Sequence, residues 1–164
     1  MEVRRLDATD LTAFRELRLE GLKLYPGAFG SSYEDSVKLP DLHFLGRIES
    51  SHMLGGFVDG ELEGCLCLAP ETGQKVCHRG SIYAVYVRKA WQGSGLAKMM
   101  MEAAVDLAPG LGLRQIELFV SSSNPRALSF YRKMGFEQVG TVPDALRVDG
   151  VFYDEHYMVR HLGA

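Results

Sequence analysis

From Ser81 to Leu107 the chain changes period once, across a glycine-rich turn, and that change restricts what the remainder can fold around. Ser81 to Val87 carries Ile, Tyr and Val on both faces, as a strand buried on two sides does. From Leu96 the apolar positions are Leu96, Met99, Met100, Ala103, Ala104 and Leu107, a stripe along one face of a helix. Between them lie Gln92, Gly93, Ser94, Gly95, Leu96 and Ala97, where small residues let main chain approach a ligand. The first N–H groups of such a helix lack intrahelical partners and sit at its positive end, which suits a phosphate or pyrophosphate.

Composition narrows the classes of function. At 164 residues, one compact domain spanning 1–164 is the expectation, large enough to bury a proper core. With 46% hydrophobic and 24% charged residues the chain is far from disordered. A net charge of −3 disfavours nucleic acid as a partner. No apolar run is long enough to span a membrane and Met1-Glu2-Val3-Arg4-Arg5 leads into no signal core, so a cytoplasmic location is expected. Cys65, Cys67 and Cys77 make an odd count, which speaks against a disulfide framework. Cys-x-Cys on a strand also fits zinc spacing poorly, so no metal is expected and the thiols read as free, buried or half-buried.

Taken in order, Val3 to Leu6 reads as an edge strand, followed by a helix to about Lys23 capped by Thr9 or Asp10. Tyr25 to Ser36 is rich in turn formers yet holds three aromatics, and a loop of that length is more often functional than idle. A second helix is predicted from about Leu39 to Glu49. Met53 to Val58 and Leu62 to Ala69 form a hairpin about Asp59-Gly60. After the central strand and helix come a strand at Ile116 to Ser121 and a helix opened by Asn124-Pro125 and closed near Gly135. Phe136 to Val142 and Val151 to Leu162 are the last strands, with a short lead-in at Leu146 to Val148 before the Asp149-Gly150 turn. The order β-α-α-β-β-β-α-β-α-β-β predicts an α/β (α+β) mixed sheet flanked by helices.

Two familiar phosphate loops do not fit the glycine turn. A P-loop needs Ser or Thr after its lysine, and Met99 follows Lys98. A dinucleotide fingerprint needs Gly or Ala where Lys98 stands. What fits is Gln92-x-x-Gly95-x-Ala97, which resembles the Arg/Gln-x-x-Gly-x-Gly/Ala signature of the GNAT superfamily of acyl-CoA-dependent N-acetyltransferases. By itself the stretch could be an ordinary strand-to-helix turn. A second block, Asn124-Pro-Arg-Ala127 followed by Tyr131-x-x-Met134-Gly135-Phe136, resembles the segment that follows the fifth strand in the same family. The flanking element order extends the resemblance from about Arg4 to Leu162.

The resemblance implies a GNAT-like fold whose fourth and fifth strands splay. Acetyl-CoA would lie in the gap, its pantetheine arm on the main chain of Val85, Tyr86 and Val87. The pyrophosphate would rest on Gln92, Gly93, Ser94, Gly95, Leu96 and Ala97, with Asn124 on the pantetheine side. Tyr131 would stand near the thioester sulfur as general acid, since a phenol can protonate a departing thiolate of comparable pKa. The acetyl group would pass to a primary amine, of a small molecule or a peptide or protein, by direct attack in a ternary complex. Members of the family often carry a glutamate on the fourth strand, and Ser81 to Val87 holds no carboxylate. Tyr83, Tyr86, Glu34, Asp35, His78 or a water relay are the alternatives for the base, and Glu117 reads as a solvated charge. Phe29, Tyr33 and Glu34 would help shape an acceptor site. A homodimer covering part of the apolar final strand is expected. A silent acyl-CoA-binding sensor would need the same turn without Tyr131 or a base.

Overall fold

The computed structural model describes residues 1–163. Seven strands form one sheet: β1 (Glu2–Arg5), β2 (His52–Val58), β3 (Glu61–Pro70), β4 (Arg79–Val87), β5 (Gln115–Ser121), β6 (Glu137–Val148) and β7 (Val151–His161), in the order β1-β2-β3-β4-β5-β7-β6. Every neighbouring pair is antiparallel except β4 and β5. The helices are α1 (Leu11–Leu24), α2 (Tyr33–Ser36), α3 (Asp41–Ser50), α4 (Leu96–Leu107) and α5 (Pro125–Lys133). This is the mixed, helix-flanked sheet expected from the sequence, with one short helix added inside the long loop.

Alternation along the central strands builds two cores, one on each face. On β3, Cys65 and Cys67 pack with Phe14 and Leu17 of α1 and Phe44 and Ile48 of α3. Leu66 and Leu68 point the other way, into a core with Leu96, Met100, Met101 and Ala104 of α4 and Tyr131 of α5. A strand covered on both faces must be apolar throughout, which is why β3 and β4 read as continuous hydrophobic runs. Met101 is fully buried although it lies off the stripe read from sequence. The buried line of α4 runs through Leu96, Met100, Ala104 and Ala108 with Met101 beside it. Among the described residues, no helix is long and apolar enough to cross a membrane.

Several local expectations shift. Asp7 supplies the first cap, its carboxylate accepting the Thr9 N–H at 2.8 Å. Asp10, just before α1, instead takes the Arg4 guanidinium on both oxygens at 2.8 Å. β6 is one strand rather than a strand and a lead-in, because Pro143-Asp144 forms a bulge and not a break. The ladder with β7 skips from Val142 to Leu146, Asp144 has φ +50°, and the Asp154 carboxylate accepts its N–H at 3.0 Å. A proline is tolerated there because β6 is an edge strand. The two Asp-Gly hairpins fall where expected, with positive φ at Asp59, Gly60, Asp149 and Gly150. Cys65 and Cys67 are buried thiols, whereas Cys77 is exposed.

One contact fixes α1 over the end of β4. A Cβ on Gly21 would stand 2.9 Å from the Tyr86 ring, and Tyr86 is held from above by its hydrogen bond to Glu20 at 2.8 Å. The same substitution should therefore have opposite signs in two helices. Gly46→Ala in α3 meets no atom within 4 Å and should stabilise by about 0.5–1 kcal/mol through helix propensity. Gly21→Ala gains the same propensity but overpacks a rigid ring at a cost of about 1–3 kcal/mol, so it should destabilise. Urea unfolding of the two variants checks the signs; a stabilised Gly21→Ala would mean that Tyr86 is free to move.

Candidate active site

The site begins where β4 stops pairing with β5. Their parallel ladder covers only Arg79↔Gln115, Gly80↔Ile116 and Ser81↔Glu117, although β4 continues to Val87 and β5 to Ser121. The cause is visible on the other side of β4. Cys65 and Cys67 of β3 face Tyr86 and Tyr83, so β4 carries one residue too many across that step. The extra length is taken up at Ala84, whose φ of +53° is left-handed. For a residue with a Cβ this costs about 1–2 kcal/mol. A bulge bends its strand and raises local twist. The Ala84 carbonyl, out of the ladder, accepts the Cys65 thiol at 3.2 Å. Beyond the bulge Val85, Tyr86 and Val87 form one wall of a cleft of about 840 Å³, with Val120, Ser121 and α5 opposite.

At one end of the cleft lies the glycine turn. Gln92 is its bracket: its amide donates to the Val87 carbonyl at 3.0 Å and to the Tyr25 hydroxyl at 3.2 Å, and its oxygen accepts from Arg126 at 3.2 Å. Gly93 and Gly95 have φ of +86° and +97°, and no atom lies within 4 Å of where a Gly95 Cβ would be. Gly95 is the residue before α4 and has no side chain with which to cap it. Ser94 faces away from the cleft, its hydroxyl accepting the Leu96 N–H at 3.3 Å. The Leu96 side chain is wholly buried in the core, so it meets the turn only through its main chain, whose N–H is held by Ser94. Ala97, Lys98, Arg126 and Lys133 line the cleft, Lys98 and Arg126 adding positive charge beside the opening N–H groups of α4.

On the opposite wall, Asn124 caps α5 by accepting the Ala127 N–H at 3.1 Å, and its amide group remains free to donate. Tyr131 is about 92% buried, with Phe130 and Phe136 ring centres at 5.3 and 5.9 Å. Its hydroxyl makes no hydrogen bond among the described residues, and the residue lines the cleft. Burial pushes the phenol above its ordinary pKa, so it holds its proton through neutral pH.

The residues proposed for the acceptor do not all gather here. Phe29 lines the cleft together with Tyr25, Gly27 and Ala28, whose loop crosses toward the end of β5. Tyr33 and Glu34 sit on α2 away from the cleft, Tyr33 under the Lys23 ammonium at 5.5 Å and Glu34 exposed. Asp35 lines a separate small pocket. His78 is exposed near the opposite end of β4. Tyr86 lines the cleft, and its hydroxyl donates to Glu20 at 2.8 Å, a carboxylate that nothing in the local pattern of α1 singles out. Glu117 is a correction: it is buried rather than solvated. Arg79 reaches it at 2.6 and 3.0 Å and the Tyr157 hydroxyl at 2.8 Å. Burial alone would raise its pKa, but these partners bring it below the ordinary carboxylate value. Thirty-eight residues separate Arg79 from Glu117, so no local pattern could have signalled the pair.

Comparison with known proteins bears on the family and the fold. The L-amino acid N-acetyltransferase AaaT of Escherichia coli is 28% identical over 104 residues, 63% of this chain and 64% of AaaT. The L-methionine sulfoximine/L-methionine sulfone acetyltransferase of Pseudomonas aeruginosa is 29% identical over 85 residues, 51% of this chain and 49% of the relative. The chain thus spans about half to just under two thirds of the length of such relatives. The structure of yncA from Salmonella typhimurium with its cofactor acetyl-CoA superposes with a TM-score of 0.88 at 19% identity, covering 100% of this chain and 95% of that one. The profile of the acetyltransferase (GNAT) family matches residues 16–136, which include the bulge, the glycine turn and Tyr131. The chain belongs to the acetyltransferase (GNAT) family.

Proposed function

We propose that this chain is an acetyl-CoA-dependent N-acetyltransferase that acts on a primary amine by direct attack in a ternary complex. The observation that carries the reading is the cleft itself. One wall is the edge of β4 at Val85 to Val87 that has no β5 partner, one end is an open glycine turn before a helix, and the other wall holds a buried phenol whose hydroxyl makes no hydrogen bond among the described residues. The cofactor fits this chain because Gly93 and Gly95 leave space where any side chain would intrude on a phosphate. Acetyl-CoA, when bound, supplies the activated acyl group. Gln92, Gly93, Gly95 and Ala97 would hold its pyrophosphate end, and Val85, Val87 and Asn124 its pantetheine arm. Ser94 contributes by shaping the turn, and Leu96 by its main chain.

The remaining work falls to few groups. Main-chain N–H groups freed by the bulge can stabilise negative charge on the thioester oxygen. Tyr131 keeps its proton and can deliver it to a leaving thiolate. The acceptor amine must lose a proton, and the Tyr86 hydroxyl backed by Glu20 gives the cleft a route to a carboxylate. The names of the relatives favour small-molecule amines, amino acids among them, as acceptors. A homodimer is part of the reading: Val139, Val142, Val151 and Phe152 are exposed along the β6–β7 hairpin. Sedimentation at tens of micromolar should show a dimer, and a monomer alone would remove that element.

Two substitutions test the chemistry. Gly95→Glu places a side chain and a negative charge in the pyrophosphate cradle and should abolish coenzyme A binding measured by calorimetry. Gly95→Ala, strained by the same positive φ but uncharged, should bind more tightly than the glutamate variant; equal affinities would move the pyrophosphate elsewhere. Tyr131→Phe keeps the packing and removes the donor, so turnover should fall by on the order of 10² to 10⁴ with acetyl-CoA affinity little changed. Near-normal turnover where chemistry limits the rate would reduce Tyr131 to a packing residue.

A further inference from the structure

Beside the cleft, and separate from it, lies a pocket of about 250 Å³ between α1, α3 and the loop that carries α2. Arg18 lines it. This guanidinium belongs to a residue about 93% buried, yet it makes no hydrogen bond and no ion pair among the described residues. Its Nη1 is fully buried and without a partner. Arginine cannot shed its proton, so the charge stays. Leaving an ionised group buried and unpaired is strongly unfavourable, and an anion seated on it would relieve that penalty.

Its neighbours do not cancel the charge. The ring of Phe29 lies 4.5 Å away and offers a cation–π contact, which is weaker than the desolvation it would have to offset. Cys65 is within electrostatic reach, but burial raises its thiol to about 11, so it is neutral near pH 7. Arg47 and His43 line the same pocket, Arg47 adding a second positive charge. Asp35 also lines it, and its carboxylate takes the Ser32 hydroxyl at 3.0 Å rather than either arginine. What remains is a small positive pocket fringed with the hydroxyls of Ser31, Ser32 and Ser36. Its chemistry selects an anion that can accept from a planar fork, for which a carboxylate is the best match.

The pocket's position says where such an anion would come from. Phe29 lines the reaction cleft as well as standing against Arg18. Cys65, in reach of Arg18, is the residue whose thiol holds the Ala84 carbonyl at the bulge. A group seated on Arg18 is therefore one aromatic side chain from the cleft, on the α1 side of β4. We propose that Arg18, supported by Arg47, receives the carboxylate of the acceptor, so that the substrates are amines carrying a carboxylate within a few bonds. This rests on reading the cleft as the site of acetyl transfer, and it adds a specificity residue on α1 to that reading.

The test compares amino acids, with amine and carboxylate one to five carbons apart, against the same amines lacking the carboxylate. The proteins are the wild type, Arg18→Met and Arg18→Lys. Wild-type kcat/KM should favour the carboxylated acceptors. Arg18→Met should lower kcat/KM for those acceptors by about 10- to 100-fold, the reach of a charged hydrogen bond, and leave the carboxylate-free amines unchanged. Arg18→Lys should restore part of the loss, since it keeps the charge without the fork. Removing an unpaired buried charge should not lower the melting temperature, which separates specificity from folding. Equal rates for both acceptor classes in the wild type, or an equal loss on both in Arg18→Met, would overturn the assignment. If no acceptor turns over, the transfer reading fails and the subsite is judged by binding. N-acetyl-L-methionine, but not its amide, should raise the melting temperature of the wild type and not of Arg18→Met. A shift shared by both proteins, or none, overturns it.

Discussion

Everything at the site depends on the parting of β4 from β5. Had the parallel ladder continued past Ser81, each strand would have satisfied the other's main-chain groups and the sheet would be closed. The single extra residue at Ala84 prevents this. It bends β4 while the pairing with β3 resumes at Tyr86, so the strand stays anchored on one side and open on the other. The left-handed alanine is a local cost of about 1–2 kcal/mol. Its return is a row of N–H and C=O groups facing a cleft instead of a neighbouring strand. Cys65 supports the geometry by giving the displaced carbonyl a donor.

The features around the cleft follow from keeping that gap open and charged. Gln92 ties the end of β4, Tyr25 after α1, and Arg126 on α5 into one bracket, so the two walls and the loop are held by one side chain. Tyr86, past the bulge, is pinned by Gly21 and Glu20 of α1. Charge is divided by location: Lys98 and Arg126 stand at the glycine-turn end of the cleft, which Lys133 also lines, while Arg18 and Arg47 make a second positive pocket on the α1 side. A chain of net charge −3 thus presents cations at the two places where anionic groups would sit.

What could be read from the sequence was what local physics dictates. Gly93 and Gly95 were legible because a left-handed turn before an uncapped helix needs glycine, and Asn124-Pro125 because capping is decided within four residues. The mixed sheet was legible from the two periods and the hairpin dipeptides. Ala84 was invisible, since an alanine in a left-handed bulge carries no signature that a glycine there would have. Arg18 was invisible too: an arginine in an amphipathic helix reads as its polar face, and what covers it, the Phe29 loop and α3, comes from elsewhere in the chain. Glu117 reads as solvated because its partner comes from another strand. The strand and lead-in read at Phe136 to Val142 and Leu146 to Val148 are one strand, because an edge strand can carry a bulge without ending.

The most direct measurement is amide hydrogen exchange with and without coenzyme A. Ligand held by the open edge of β4 and the start of α4 should slow exchange at Val85 and Val87 and at Gly93 through Lys98. The paired strands β1 to β3 should keep their rates. Coenzyme A that binds, by calorimetry, yet leaves the amides of Val85 to Val87 exchanging as before would contradict the account, because the gap made by Ala84 would then not be where the ligand lies.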